Sequence, residues 1–335
     1  MKRTRTISAG GLVVAAFAVA AAVLVAILIA RSDLFGTGGS GLGNEFTYDL
    51  TEHRKVDPSL LAYRLVRTVA TPFKEARGLA VGPDGALCVA GDSAVAVFAG
   101  AEGEPLLRAT DEPPRAVAVT GSGQGRTIYV AAARRVEAYD EAAGRWRRWA
   151  DLDERAMLTS LAATDDGEVF AADAGNRVVL RYGPDGQIVG RIGAKDPDRN
   201  IPGLQVPSPH LDVAIGADGL LRVTNPGRRE VEAYTFDGDL ELSWGTSSVG
   251  IEGFCGCCNP TDIAVLPDGG IVTSEKGLPR VKVYDATGKL LAVVAPPEAF
   301  DEGAEGLDLA TDAGGRIYVL DPRAAAVRVY EKTNP

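Results

Sequence analysis

From residue 73 onward, the chain consists largely of short runs in which apolar and polar positions alternate. One pattern, in which a run is followed by a glycine turn and a second run, is repeated six times. The copies begin at Gly78, Ala116, Ser160, Asp212, Asp262 and Asp308, and their turn glycines are Gly85, Gly125, Gly167, Gly219, Gly269 and Gly315. Alternation with period two is typical of half-buried strands. Strand repeats of roughly 40–50 residues predict propeller blades.

Each copy supplies more than one strand. In the third copy, residues 168–173 read as a second strand, residues 177–182 as a third, and Asp185-Gly186 as a hairpin turn into a fourth. No amphipathic helix of useful length interrupts residues 46–335. The pattern therefore predicts an all-β fold for this part of the chain.

The two ends of the repeat region complement each other. The sixth copy stops at Tyr330, after its third strand, whereas residues 60–72 resemble the fourth strand of the fifth copy, residues 290–296. A strand from residues 60–72 would complete the last sheet and leave no unprotected edge. We therefore predict a six-bladed β-propeller over residues 46–335, closed by its N-terminal strand.

The repeats resemble the NHL family. The resemblance rests on residues 166–186, Asp-Gly-Glu-Val-Phe-Ala-Ala-Asp-Ala-Gly-Asn-Arg-Val-Val-Leu-Arg-Tyr-Gly-Pro-Asp-Gly, and copies five and six match nearly as well. Copy two departs most, with Ser122-Gly-Gln-Gly125 in place of Asp-Gly. The resemblance implies an NHL-like propeller and no particular chemistry, because function depends on the sites that a fold carries.

The N-terminal segment predicts a membrane anchor. Residues 9–30 are 22 uncharged, almost wholly apolar positions, enough for a helix to cross a bilayer. Lys2, Arg3 and Arg5 precede them, so residues 1–8 are predicted to be cytoplasmic. Residues 31–45 read as a flexible linker, and the propeller would lie outside the inner (cytoplasmic) membrane, in the periplasm or extracellular space. A cleaved signal peptide is the alternative, and it would also export the body.

The net charge of the chain limits the kinds of partner that we expect it to bind. The net charge is −10, and the first 31 residues carry four positive charges and no acid, so the body is strongly acidic. Phosphate repulsion then opposes nucleic-acid binding. We expect the membrane, through residues 9–30, and an envelope protein as partners.

Charged residues mark one mouth of the predicted propeller. Asp212, Asp262 and Asp308 stand at the start of the innermost strand in three consecutive copies, and Arg77 and Arg115 precede the same position in copies one and two. Three carboxylates near the axis could coordinate calcium, or each could hydrogen-bond the backbone of its own turn. The arginines could hold an anionic ligand or be ordinary surface residues.

Three of the four cysteines lie within four residues. Cys255, Cys257 and Cys258 belong to the string Cys-Gly-Cys-Cys-Asn-Pro, which resembles a set of uncharacterised bacterial NHL-like proteins that share it. In an exported protein, two of them, such as Cys255 and Cys258, could form a disulfide. Together with His210 on the preceding link, they could instead bind copper, zinc or an iron-type centre. The fourth, Cys88, lies mid-strand and is expected to be buried and inert.

Glu275 and Lys276 lie on the loop beside the cysteines and could pair with each other, orient a ligand or tune a thiol. Three functions stay open: a binding domain, with or without a metal or redox site at the cysteines; a calcium-dependent lactonase-like hydrolase; and a structural docking scaffold. A lactonase-like site would bring Asp173, Asn225, Asp212 and Asp262 together at the pore. No nucleophile elbow, zinc-protease motif or phosphate loop is present, so catalysis is the less favoured interpretation.

Overall fold

The computed structural model describes residues 51–100, 104–132, 134–301 and 303–333. Within them, 24 strands form six four-stranded antiparallel sheets, which confirms the six-bladed propeller. The predicted anchor (9–30) and linker (31–45) lie outside these residues. No helix among the described residues is long and apolar enough to span a bilayer.

The blades follow one another along the chain. Blade one is β2 (Ala76–Val81), β3 (Leu87–Gly91), β4 (Ala94–Phe98) and β5 (Leu106–Ala109); blade two is β6 (Pro114–Thr120), β7 (Thr127–Ala132), β8 (Arg135–Asp140) and β9 (Arg145–Arg148). Blade three is β10 (Leu158–Ala163), β11 (Val169–Asp173), β12 (Val178–Tyr182) and β13 (Ile188–Ile192); blade four is β14 (Val213–Ile215), β15 (Leu221–Asn225), β16 (Glu230–Tyr234) and β17 (Leu240–Trp244). Blade five is β18 (Asp262–Val265), β19 (Ile271–Glu275), β20 (Arg280–Tyr284) and β21 (Leu290–Ala295); blade six is β22 (Asp308–Thr311), β23 (Ile317–Asp321), β24 (Ala326–Lys332) and β1 (Tyr63–Ala70). A short helix (Thr51–Arg54) and three 3₁₀ turns (Pro58–Leu60, Gly123–Gly125 and Pro297–Ala299) complete the described elements.

The N-terminal strand closes the ring, as the sequence predicts. Strand β1 pairs antiparallel with β24, from Tyr63 opposite Lys332 to Ala70 opposite Ala326, and the sheet order is β1-β24-β23-β22. The hydroxyl of Thr71 also donates a hydrogen bond to the carbonyl of Ala325 (3.1 Å). The outer edge of β24 is thereby covered, and both ends of the repeat region are held in one sheet.

The hydrophobic core lies between neighbouring blades. The second strands are buried except at the first residue of β7, whereas fourth strands such as β5 and β9 are mostly exposed. Each pair of adjacent blades shares one cluster of apolar side chains, so the sheets stabilise one another face to face. Cys88 belongs to the cluster between blades one and two, and burial raises the pKa of its thiol to about 12, as expected for an inert cysteine.

The inner strands approach one another closely at the axis. A Cβ atom on Gly78 would lie 2.9 Å from Cα of Ala116 in the next blade, closer than real Cβ contacts. The absence of a side chain at Gly78 therefore lets blades one and two meet. The same position carries aspartate in blades four to six.

Candidate functional site: the axial cavity and the cysteine link

A cavity of about 370 Å³ opens at the axis, on the face where the chain passes from one blade to the next. We call it the axial cavity. It has a floor of six apolar side chains at equivalent positions, one from each blade: Leu79, Val117, Leu161, Val213, Ile263 and Leu309. Its volume is in the range of small-molecule sites. The predicted residues Asp212, Asp262, Asp308, Arg77, Arg115 and His210 all line it.

The three aspartates join neighbouring blades. Asp212 accepts a hydrogen bond from the backbone N–H of Ile263 (2.6 Å), and Asp262 accepts one from Leu309 (2.8 Å). Asp308 accepts one from Leu79 of blade one (2.7 Å). Bonding within the same turn also occurs, since Asp308 accepts a hydrogen bond from Leu309 N–H (2.9 Å), but each of the three side chains has a backbone partner one blade further on.

Ser160 occupies the same position in blade three and accepts a hydrogen bond from Val213 N–H (3.3 Å). Sequence reasoning did not select Ser160 as a site residue, although it stands at the same place in its repeat as the aspartates. Four consecutive blades are thus linked by a polar side chain, and blades one and two lack one because they carry Gly78 and Ala116 there.

Adjacent carboxyl groups in this row also lie close enough to shift each other's pKa, Asp212 with Asp262 and Asp262 with Asp308. Burial raises the pKa of Asp212 to about 6. Burial, followed by the charge of Asp212, raises the pKa of Asp308 to about 7. Burial and the charges of both neighbours raise the pKa of Asp262 well above its ordinary value. Near neutral pH the row therefore retains protons.

This arrangement fits a calcium ion poorly. One oxygen each of Asp212 and Asp262 and both oxygens of Asp308 accept backbone hydrogen bonds, whereas calcium requires six to eight oxygen ligands. Among the residues that the structure describes, no group of three or more histidines, cysteines, aspartates or glutamates is arranged to hold a metal ion. The carboxyl row is instead arranged to share protons.

Positive charge lies across the cavity from the acids, on blades one and two. Arg77 forms an ion pair with Glu75, while its Nη1 is buried without a hydrogen-bond partner in the described part of the chain. Arg115 is exposed at the rim. The cavity therefore presents acids on one side and guanidinium groups on the other.

His210 adds a neutral group to the cavity wall. Burial, and then the positive charge of Lys276, lower the pKa of its imidazole to about 4. The side chain is therefore uncharged at physiological pH, and one ring nitrogen can accept a proton or a hydrogen bond.

Side chains at the ends of three second strands hold the link that enters their own blade. Asp173 accepts a hydrogen bond from Met157 N–H (2.9 Å), Asn225 from Gln205 N–H (2.9 Å) and Glu275 from Cys255 N–H (2.9 Å). In each case the donor lies on the link that enters the same blade. The prediction that Asp173 and Asn225 converge on the pore with Asp212 and Asp262 is therefore wrong, since neither lines the axial cavity.

Glu275 is fully enclosed. It pairs with Arg280 (2.7 Å) and Lys282 (2.7 Å), and all three side chains are at most 1% exposed. It does not pair with Lys276, the neighbour that the sequence suggested, and it does not face the cavity. Burial lowers the pKa of Lys282 to about 8 even beside this carboxylate, so removing Glu275 would leave two buried cations uncompensated.

The link between blades four and five, residues 245–260, is bound tightly to β20. Lys282 donates hydrogen bonds to the carbonyls of Ile251 (3.1 Å) and Gly253 (2.7 Å), and Arg280 donates to the carbonyl of Gly250 (3.0 Å). We call this segment the cysteine link. The sequence signal for this contact is a strand that carries two charged side chains among apolar ones, Arg280-Val-Lys-Val-Tyr. The contact was not predicted from it.

The cysteines themselves are free thiols. Cys257 is exposed and Cys258 is buried, and their sulfurs lie 3.2 Å apart. Cys255 is buried separately, with its N–H on Glu275. The close pair is therefore Cys257 with Cys258, and not Cys255 with Cys258 as the sequence suggested. Lys276 adds positive charge beside Cys257 and Cys258 as well as His210.

Comparison with known proteins supports the fold. No family model and no curated protein matches the chain. Solved structures do: a protein of unknown function from Bacteroides thetaiotaomicron has a TM-score of 0.59 at 15% identity, covering 81% of this chain and 72% of its own. A gluconolactonase from Xanthomonas campestris has a TM-score of 0.59 at 19% identity, with 83% and 94% covered.

Virginiamycin B lyase from Staphylococcus aureus is also similar, with a TM-score of 0.56 at 11% identity and 81% and 100% of the two chains covered. Identities this low establish a shared propeller architecture and carry no activity from one chain to another.

Proposed function

We propose that this chain is a membrane-anchored NHL-like propeller, outside the cytoplasm, that binds a small polar ligand in its axial cavity. The observation that carries the proposal is the division of charge in that cavity, with Asp212, Asp262 and Asp308 on one side and Arg77 and Arg115 on the other. The apolar floor and the volume of about 370 Å³ suit a compact molecule.

The chemistry of the walls defines the ligand class. A cationic group beside the carboxyl row would favour their ionised forms and offset their mutual repulsion. An anionic group would pair with the guanidinium of Arg77, whose Nη1 lacks a partner among the described residues. The cavity therefore suits a small zwitterion, such as an amino-acid-like molecule with ammonium and carboxylate groups.

The test is a thermal-shift and calorimetric screen of full-length protein in detergent, using amino acids together with their amine-blocked and acid-blocked derivatives. We expect zwitterions to bind, amine-blocked compounds to lose affinity, and Arg77→Gln to weaken binding of those with a free carboxylate. Arg64→Gln, at an exposed site away from the cavity, is the control. If no compound raises the melting temperature, the cavity is structural and the docking-scaffold alternative is favoured.

A catalytic function is the second candidate. A neutral His210 and carboxyl groups with pKa values of about 6 and 7 line the same cavity, and such groups can donate and accept protons near neutral pH. Hydrolysis of a lactone panel, measured with and without calcium, tests this candidate. Equal rates for the original protein, for Asp262→Ala and for buffer would reject it.

Export and anchoring are tested separately. We expect the full chain to sediment with membranes and to be cleaved by external protease in spheroplasts, and a chain that begins at residue 32 to be released from the membrane when it is produced behind a cleavable signal. Recovery of the full chain in the soluble cytoplasmic fraction would contradict the assignment.

A further inference from the structure

The loop that carries the vicinal cysteines is held in place before any reaction. The amide of Asn259 donates hydrogen bonds to the carbonyls of Cys255 (2.5 Å) and Lys276 (3.0 Å), and its oxygen accepts one from Lys276 N–H (2.9 Å). Arg229 Nε donates to the carbonyl of Gly256 (2.8 Å). The backbone on both sides of the thiols is thus fixed, which keeps the two sulfurs together.

The surroundings favour one thiolate in the pair. Burial acts to raise the pKa of the Cys258 thiol, but the proximity of Ser208 and Cys257 and the charges of Lys276 and Arg229 outweigh it and lower that pKa. The pKa of Cys257 is raised because its thiol is hydrogen-bonded to Cys258. One proton is therefore shared across the contact of 3.2 Å.

We propose that Cys257 and Cys258 form a reversible dithiol–disulfide pair that exchanges two electrons with an external disulfide at the cavity face of the propeller. The exposed Cys257 meets the substrate, and the buried Cys258, 3.2 Å away, resolves the intermediate. Cys255 takes no part, because it is buried apart and its N–H is bonded to Glu275.

The reaction balances as two thiol–disulfide exchanges. Cys257 passes its proton to Cys258 and attacks one sulfur of R–S–S–R′, forming a mixed disulfide and expelling R′S⁻. Cys258 gives its proton to that leaving group, and its sulfur attacks Cys257, breaking the mixed bond and expelling RS⁻, which takes a proton from water. The thiol–thiolate pair loses two electrons and one proton, water supplies the second proton, and the substrate becomes two thiols.

The experiment uses reduced full-length protein in detergent, equilibrated with oxidised glutathione, quenched in acid and alkylated. Trypsin then releases residues 230–276, which contain all three loop cysteines. In the oxidised sample this peptide should carry one alkyl group, and after dithiothreitol it should carry three. Three alkyl groups in the oxidised sample would overturn the proposal.

Variants identify the pair. Cys255→Ser should lose both remaining alkylation sites on oxidation, and Cys258→Ser should hold glutathione on Cys257 as a persistent adduct. Retention of two alkylatable thiols in oxidised Cys255→Ser would contradict the assignment, since Cys255 would then be a partner. A thermal melt of each variant confirms that it is folded.

A second arm distinguishes the source of the disulfide and tests the role of charge. Oxidised glutathione and insulin are compared as substrates; reaction with the first alone indicates small disulfides, and reaction with insulin indicates protein disulfides. Lys276→Met should slow the reaction about threefold, because less thiolate is present, while Lys74→Met, at an exposed site in blade one, should not. Equal rates for the two variants would remove Lys276 from the proposed site.

Discussion

Replacing the middle acid of the carboxyl row, Asp262→Asn, should make the protein more stable, and more so as the pH rises. The asparagine oxygen can still accept the hydrogen bond from Leu309 N–H, which Asp262 accepts at 2.8 Å. The amide cannot ionise between Asp212 and Asp308. The substitution therefore removes the free-energy cost of ionising a buried carboxyl group between two acids, and it keeps the contact between blades five and six.

The magnitude follows from the neighbouring acid. The pKa of Asp308 is raised from 3.8 to about 7, which corresponds to about 4 kcal/mol of unfavourable free energy at pH values above both. Because the folded pKa values are raised, the stability that these groups contribute is fully present below pH 3.8 and is lost as the pH rises through about 6 and 7.

The pKa of Asp262 is raised for the same reasons, namely burial and two acidic neighbours. We expect about 2 kcal/mol of stabilisation for Asp262→Asn at pH 8, since relaxation and water entry reduce the full value, and this corresponds to a melting temperature about 5 °C higher.

The assay is thermal and urea unfolding of both proteins from pH 4 to pH 8, with Glu154→Gln, an exposed acid in the link before blade three, as the control. The difference in unfolding free energy should be near zero at pH 4 and should grow steadily to pH 8, and the control should show no such growth. A variant that is equally or less stable at pH 8, with an unchanged pH dependence, would show that the three carboxyl groups do not constrain one another.

Three further predictions follow from the buried contacts. Glu275→Gln should lower the free energy of unfolding by about 3 kcal/mol, because Arg280 and Lys282 lose their buried counter-charge; urea unfolding measures it, and a loss no larger than that of Glu154→Gln would contradict the buried triad. Val69→Asp, on the closing strand, should destabilise by about 3 kcal/mol, because Val69 packs between blades six and one, whereas Leu65→Asp, 52% exposed on the same strand, should cost little; equal effects would show that β1 is not packed as described. Binding of a cationic ligand to the axial cavity should tighten about tenfold from pH 5 to pH 8, because the carboxyl pKa values are raised to about 6 and 7 and the ionised forms attract the cation; calorimetry at the two pH values checks this, and an affinity independent of pH would place the ligand elsewhere.

The repeat pattern was readable because each blade is specified locally. The short apolar runs of β11 and β12, with a glycine turn before the first and after the second, predict strands without reference to any other blade, and six such copies fix the blade number. The closing strand was also predictable, since residues 60–72 look like a fourth strand and the last copy lacks one. Equivalent positions in the repeat placed Asp212, Asp262 and Asp308 at one mouth for the same reason.

The partners of those residues were not predictable. An aspartate at the start of a strand, such as Asp262, can accept a hydrogen bond from the backbone of its own turn or from that of the next blade. Which of the two bonds forms depends on the distance between the blades. Glu275 stands beside Lys276 in the chain, but successive side chains in a strand point to opposite faces, so its ion pairs are with Arg280 and Lys282 of the adjacent strand.

The sequence by itself determined the fold class, the blade number, the closing strand and the positions around the mouth, because these depend on periodicity and on a repeat. The tertiary structure alone decided which carboxyls share protons, which charges are buried and which two of three cysteines meet. Those outcomes depend on distances of about 3 Å between residues on different strands or different blades, or between thiols held by a particular loop conformation, and no pattern along the chain encodes such distances.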